Sequence, residues 1–152
     1  IKMIKKKILA LISGQLRNFS KKNFLNLKNS FKDYSIDFFI TCWKNEKTET
    51  INSFNNTYNP LNISKIENKD FSDREKKILF PDTAINLENT FHMWHSFAEC
   101  CKIVQSFNFE HKPDYILRYR SDILPSLNQN IRLNNLKQNN ILIPDMYHWH
   151  GV

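Results

Sequence analysis

The stretch KKILALISGQLRNF, Lys6 to Phe19, decides the fold class. Its apolar run, Ile8 to Ile12, is short and uninterrupted, with lysines before it and Ser13-Gly14 after it. A strand buried on both faces reads this way, and such strands belong to parallel sheets. Gly14 and Gly151 are the two glycines in 152 residues, where average usage of about 7% would give roughly eleven. A glycine directly after a buried strand points to a sharp turn at the carboxyl edge of a sheet. There glycine allows unusual backbone angles and close approach of a neighbour or ligand.

After that turn, Leu16, Phe24, Leu27 and Phe31 fall near one face of a helix, with Lys21, Lys22, Lys28 and Lys32 largely elsewhere. SIDFFITCW, Ser35 to Trp43, is rich in β-branched and aromatic residues and reads as a second buried strand. Strand, helix, strand in about forty residues is a βαβ unit, so the expected class is α/β with a Rossmann-like, mostly parallel sheet flanked by helices. Residues 44–80 are polar and rich in Asn, Thr and Lys, and are expected to form a variable excursion with at most a short strand at Ile63–Ile66. Within it, Ser72 and Glu75 have capping-box spacing, and Pro81 closes the segment. A long helix is predicted over Asn86–Phe107, where Phe91, Trp94, Ala98, Cys101 and Val104 recur at helical intervals, with His92 and His95 flanking a buried Trp94. YILRYRSDIL, Tyr115 to Leu124, follows as another strand, and ILIPD near the end as a further one. Residues 1–152 are expected to make a single domain.

The chain carries a formal charge of +7. Such a balance favours anionic partners, among them nucleotides, phosphorylated sugars, an anionic membrane surface and nucleic acid. No run approaches the 18 or so apolar residues of a membrane span. Three cysteines, Cys42, Cys100 and Cys101, include no CxxC pair and fit free thiols in a reducing, cytoplasmic setting.

Two constellations could carry chemistry. Ser13, Gly14, Gln15 and Arg17 follow the first strand, and Arg17 is expected in the first turn of the next helix. A cation there opposes the helix dipole and makes more sense beside a bound anion, since helix N-termini suit phosphate. The alternative is a glycine turn with Arg17 in water. The second constellation is YILRYRSD. Pleating would put Ile116, Arg118, Arg120 and Asp122 on one face, with alternate residues about 6.5–7 Å apart. Buried arginines are costly unless paired, so this face is either solvated or turned toward anions. Asp122 would lie at the crevice where open α/β sheets bind ligands, placed to hold Mg²⁺ or Mn²⁺. Trp43 either stacks on a base or sugar or packs into the core. The histidine pairs His92/His95 and His148/His150 lack further ligands at zinc-site spacing. Neither GxGxxG, a Walker loop nor a GxSxG elbow is present.

In this order, ILALISGQLRNF, IDFFITCW, FHMWHSFAECCKIV, PDYILRYRSDIL and ILIPD resemble a group of bacterial glycosyltransferase-like proteins of surface-polysaccharide and lipopolysaccharide biosynthesis. The resemblance implies a GT-A-type nucleotide-sugar-binding fold. It assigns Ser13, Gly14, Gln15 and Arg17 to the nucleotide side, and Arg118, Arg120 and Asp122 to the diphosphate and sugar. It implies a nucleotide-diphosphate sugar as donor, a glycan or lipid-linked acceptor, and a protein working in the cytoplasm at the inner face of the membrane. Where such enzymes carry Asp-x-Asp this chain has RSD, so Asp122 is the one carboxylate left for a Mg or Mn ion, and Arg118 and Arg120 are alternative sources of positive charge. The acceptor half of such a fold would lie beyond Val152, so a truncated member, or an inactive remnant, is expected. The rival reading is a basic α/β nucleic-acid-binding module using the Lys-rich first helix with Phe19, Phe24 and Trp43.

Overall fold

The computed structural model describes residues 4–17, 21–81, 87–121, 130–134 and 136–137. Four strands and four helices occur among them: β1 (Lys7–Gly14), α1 (Lys21–Ser30), β2 (Ser35–Trp43), α2 (Thr48–Tyr58), β3 (Asn62–Ile66), α3 (Asp73–Leu79), α4 (Leu87–Ser106) and β4 (Tyr115–Arg118). The strands form one all-parallel sheet in the order β3-β2-β1-β4. The class is therefore α/β, with helices flanking a parallel sheet in a Rossmann-like arrangement.

β1 lies between two neighbours and is covered on both faces, which is why its sequence does not alternate. Ile8, Ala10 and Ile12 join Phe38, Ile40 and Cys42 of β2 beneath Leu27 of α1 and Phe54 and Tyr58 of α2. On the opposite face Leu9, Leu11 and Phe39 meet Cys100 of α4. Asp114 starts β4 in register: its carboxylate accepts the Lys7 N–H at 2.7 Å, and its own N–H donates to the Lys7 carbonyl at 2.9 Å.

Residues 44–80 are not the loose excursion their composition suggests. They hold α2, β3 and α3. Ile51, Phe54 and Tyr58 share one face of α2, and Phe54 and Tyr58 are only 1% and 3% exposed. This apolar stripe is narrow and the rest of the helix is Asn, Thr, Ser and Glu, so composition masks the period. Asn59 ends α2 in the left-handed conformation (φ 43°), with its N–H bonded to the Asn55 carbonyl. The expected cap on α3 is present. Ser72 Oγ accepts the Glu75 N–H, the Glu75 carboxylate accepts the Ser72 N–H, and these bonds hold the Glu75 carboxyl below its usual range.

Helix α4 spans nearly the predicted range, but its buried stripe is rotated. Ser96 and Cys100 are buried, whereas Trp94 is 54% exposed and Ala98 faces solvent. The aromatic residue expected at the core lies outside it, because the small Ser96 and Cys100 let the helix sit close on the sheet. Among the described residues no helix is long and apolar enough to cross a membrane. Cys42, Cys100 and Cys101 are free thiols, the first two buried. The expected ILIPD strand and His148/His150 lie outside the described residues.

Strand β4 is shorter than expected. Tyr119 still donates its N–H to the Leu11 carbonyl at 2.9 Å, and then the chain leaves the ladder. Two bonds divert it: Ser121 Oγ donates to the Arg17 carbonyl (3.3 Å), and Asn23 of α1 donates from Nδ2 to the Ser121 carbonyl (3.2 Å). Arg120 therefore lies beyond the strand that ends at Arg118, and Asp122 lies outside the described residues.

Candidate functional site

The chain runs from β1 outward through β2 to β3, then returns to place β4 on β1's other side. Between β1 and β4 the strand order reverses, and the loops leaving their carboxyl ends diverge. Open α/β sheets bind ligands at such a switch point. A hollow of about 420 Å³ occupies this position. Ser13, Gly14, Gln15 and Arg17 line it from the β1 exit, Trp43 from the end of β2, and Arg118 and Arg120 from β4 and its continuation. The two constellations, about a hundred residues apart in sequence, thus share one cavity. The Ser121–Arg17 hydrogen bond ties their loops together directly.

Arg17 itself is not helical, α1 is described from Lys21 onward, and residues 18–20 lie outside the described residues. The loop before them is held by Glu46, whose carboxylate accepts the Leu16 N–H at 3.0 Å. That backbone donor, which could have faced a phosphate, is taken by the protein itself.

Gly14 has φ +89°, and a Cβ added to it would lie 3.0 Å from Ser96 Oγ. The close approach that glycine permits here is to α4, not to a ligand. Ser96 is itself buried and donates its hydroxyl to the Met93 carbonyl at 2.9 Å.

Arg118 is the last residue of β4. Its guanidinium lies 4.7 Å from the ring centroid of Trp94 and 4.9 Å from that of Phe97. Aromatic faces of this kind attract a cation and strip it of water. Burial, with the nearby Arg120 charge, lowers the Arg118 pKa from its ordinary value. No carboxylate pairs with Arg118 among the described residues. Cys101 lies within reach of the guanidinium's field, and burial still pushes its thiol up. Of the described residues lining the hollow, three are arginines and none is acidic. The described lining offers neutral side-chain oxygens and no carboxylate, and Asp122, the expected ligand of a Mg or Mn ion, lies outside the described residues. Among the described residues no cluster of His, Cys, Asp and Glu could hold a metal ion.

Sequence reasoning missed the wall supplied by the first turns of α4: Asn89, Thr90, His92, Met93 and Ser96. A signal was available. The face that is apolar at Cys100 and Val104 turns polar toward the helix start, at the end that abuts the strands' carboxyl edge. Phe24, assigned to base stacking in the nucleic-acid reading, is partly buried and packs against Phe38 and Tyr58 (ring centroids 5.9 and 5.2 Å apart). Phe19 lies outside the described residues.

Comparison with protein-family models, with curated proteins and with solved structures returned no match. The hollow's own chemistry is therefore the basis for any functional reading.

Proposed function

We propose that the hollow binds the diphosphate of a nucleotide sugar, and that the chain forms the donor-binding part of a glycosyltransferase for a surface-glycan acceptor. The observation that carries this reading is three arginines and no carboxylate in the described lining of a cavity at the sheet's switch point. Arg118 adds weight, because a half-buried cation beside a like charge gains most from an incoming anion. The resemblance of ILALISGQLRNF and PDYILRYRSDIL to glycosyltransferase-like proteins supplies the sugar.

In the transfer, the bond between the sugar's anomeric carbon and the β-phosphate oxygen breaks, and its electron pair stays with the leaving diphosphate. The acceptor hydroxyl oxygen forms the new bond and gives up its proton to solvent or to a base this site does not assign. Arg17, Arg118 and Arg120 stabilise the charge that gathers on the leaving group, a fixed electrostatic contribution. Trp43 offers an apolar wall for the base or sugar.

The test is thermal melting with uridine and guanosine diphosphates and their glucose and mannose conjugates. Melting should rise with ligand as ln(1+[L]/Kd). The Arg120→Ala variant should melt like the parent and lose the shift. No shift at millimolar ligand rejects the reading. Oligonucleotide binding that weakens steeply between about 50 and 200 mM salt would favour the nucleic-acid reading instead.

A further inference from the structure

We infer that the face around a second hollow, at the amino edge of the sheet, docks on a membrane surface rich in anionic phospholipid; the inference is independent of the nucleotide-sugar reading. Lys6 precedes β1, Tyr34 precedes β2 and Asp114 precedes β4. In a parallel sheet these ends share one edge, opposite the edge that carries Gly14 and Arg118. The hollow there measures about 310 Å³, and its lining includes Ile4, Lys5, Lys6, Asp33, Tyr34 and Arg132.

Donors dominate this lining. Lys5 donates to the Lys32 carbonyl at 2.7 Å and Lys6 to the Tyr115 hydroxyl at 3.2 Å, which uses one of the three hydrogens on each ammonium. Arg132 is exposed and pairs with no acid among the described residues. The Tyr34 hydroxyl accepts the Leu133 N–H at 2.6 Å and keeps its own hydrogen to donate. The acids at this edge are engaged: Asp33 accepts an amide hydrogen of Asn130 at 2.8 Å, and Asp114 accepts the Lys7 N–H. Carbonyls at and just after the end of α1 would repel an anion, but Ile131 donates its N–H to that of Ser30 and Lys5 covers that of Lys32.

A phosphate in solution would need only these donors. The apolar residues among them point to a surface. Ile4 borders the hollow and is 96% exposed. On α1, which carries three lysines and no acid, Leu25 is 49% exposed, with Lys28 one turn on and Lys32 one turn further, both exposed. Cations interleaved with exposed aliphatic side chains suit the headgroup layer, where the charges meet phosphates and the apolar tips enter the acyl boundary. Single-stranded nucleic acid is held by aromatic faces as well as charge, whereas Tyr34 at this edge is buried and meets Tyr115 edge-on (5.9 Å, 81°).

The experiment is flotation of the chain with vesicles of phosphatidylcholine alone, or of an equimolar mixture with phosphatidylglycerol, at about 100 mM salt. The parent should partition onto the anionic vesicles and not onto the neutral ones. Each basic residue near such a surface contributes about fivefold, so Lys5→Gln/Lys6→Gln/Arg132→Gln should bind roughly a hundredfold more weakly. Lys47→Gln/Lys65→Gln/Lys77→Gln removes the same charge at exposed positions of other elements and should weaken binding by no more than about threefold. Ile4→Ser should cost roughly three- to tenfold, the loss of one apolar tip from the acyl boundary. Equal binding to both kinds of vesicle overturns the inference, as do equal losses in the two triple variants. Ile4→Ser binding like the parent, with inorganic phosphate releasing the chain from the vesicles, assigns the hollow to a free phosphate and overturns the docking surface. An oligonucleotide bound more tightly than the anionic vesicles at the same salt assigns the face to nucleic acid and overturns it too.

Discussion

Gly14 and Ser96 meet where the first strand ends and α4 begins its buried face, with 3.0 Å between a notional Gly14 Cβ and the serine hydroxyl. The contact sets how closely α4 lies on the sheet, and so the width of the hollow between them. Gly14→Ala adds this clash to a left-handed φ of +89°. The expected cost is about 1–3 kcal/mol, read from urea unfolding. Adding Ser96→Ala should relieve the steric part and leave the backbone part, so the double variant should recover incompletely. A neutral Gly14→Ala would show that the loop takes another conformation.

Arg118 is predicted to serve binding at the expense of stability. Arg118→Leu keeps an apolar body between the Trp94 and Phe97 rings and removes a half-buried charge beside Arg120. Stability should stay within about 1 kcal/mol of the parent or rise. Pyrophosphate affinity should fall roughly ten- to a hundredfold, as for a hydrogen bond to a charged group. A large loss of stability with affinity intact would assign Arg118 to the scaffold.

Phe54 tests whether residues 44–80 belong to the core. Phe54→Ala should cost about 3–5 kcal/mol and lower the melting temperature by roughly 10 °C. Asn56→Ala, on the exposed face of α2, should change stability by no more than about 0.5 kcal/mol. Equal, small effects would mean that α2 is only loosely attached. Because Tyr58 packs against Phe54 and also touches Tyr119, Phe54→Ala should weaken ligand binding as well.

Cys100 makes stability fall in alkali. Burial raises its thiol from 9.0 to about 11, so the neutral form is favoured in the folded chain. A raised folded pKa gives stability that is complete below the unfolded value and lost as pH climbs from about 9 through 11. Stability of the parent relative to Cys100→Ala should therefore decline by on the order of 1–2 kcal/mol between about pH 8.5 and 10.5. A constant difference across that window would show that the thiol is not buried. Alkylation at neutral pH should label Cys101 well before Cys100.

Much of the scaffold was legible because burial leaves a local trace. A strand covered on both faces reads as a near-continuous apolar run, and Ile8–Ile12 and Phe38–Ile40 are such runs. The α3 cap was equally local, a matter of Ser72 and Glu75 three residues apart. What failed were inferences about direction. Trp94 looked like core because it recurs with Phe91, Ala98, Cys101 and Val104 at helical intervals, but a helix packs by the closeness its small residues allow, and Ser96 and Cys100 set that face. Helix α2 was hidden because three apolar residues sufficed to dock it.

The sequence by itself determined the α/β class, the boundaries of β1, β2 and α4, and the residue types available for binding an anion. Their meeting was decided by tertiary structure alone. Strand order set Gly14–Arg17 beside Arg118–Arg120, the Ser121–Arg17 bond pulled the chain off the β4 ladder, and α4 brought His92 to the same wall. A run or period of apolar residues is a local record of burial, whereas a site joins elements distant in sequence, and their adjacency is written only in the sheet's order.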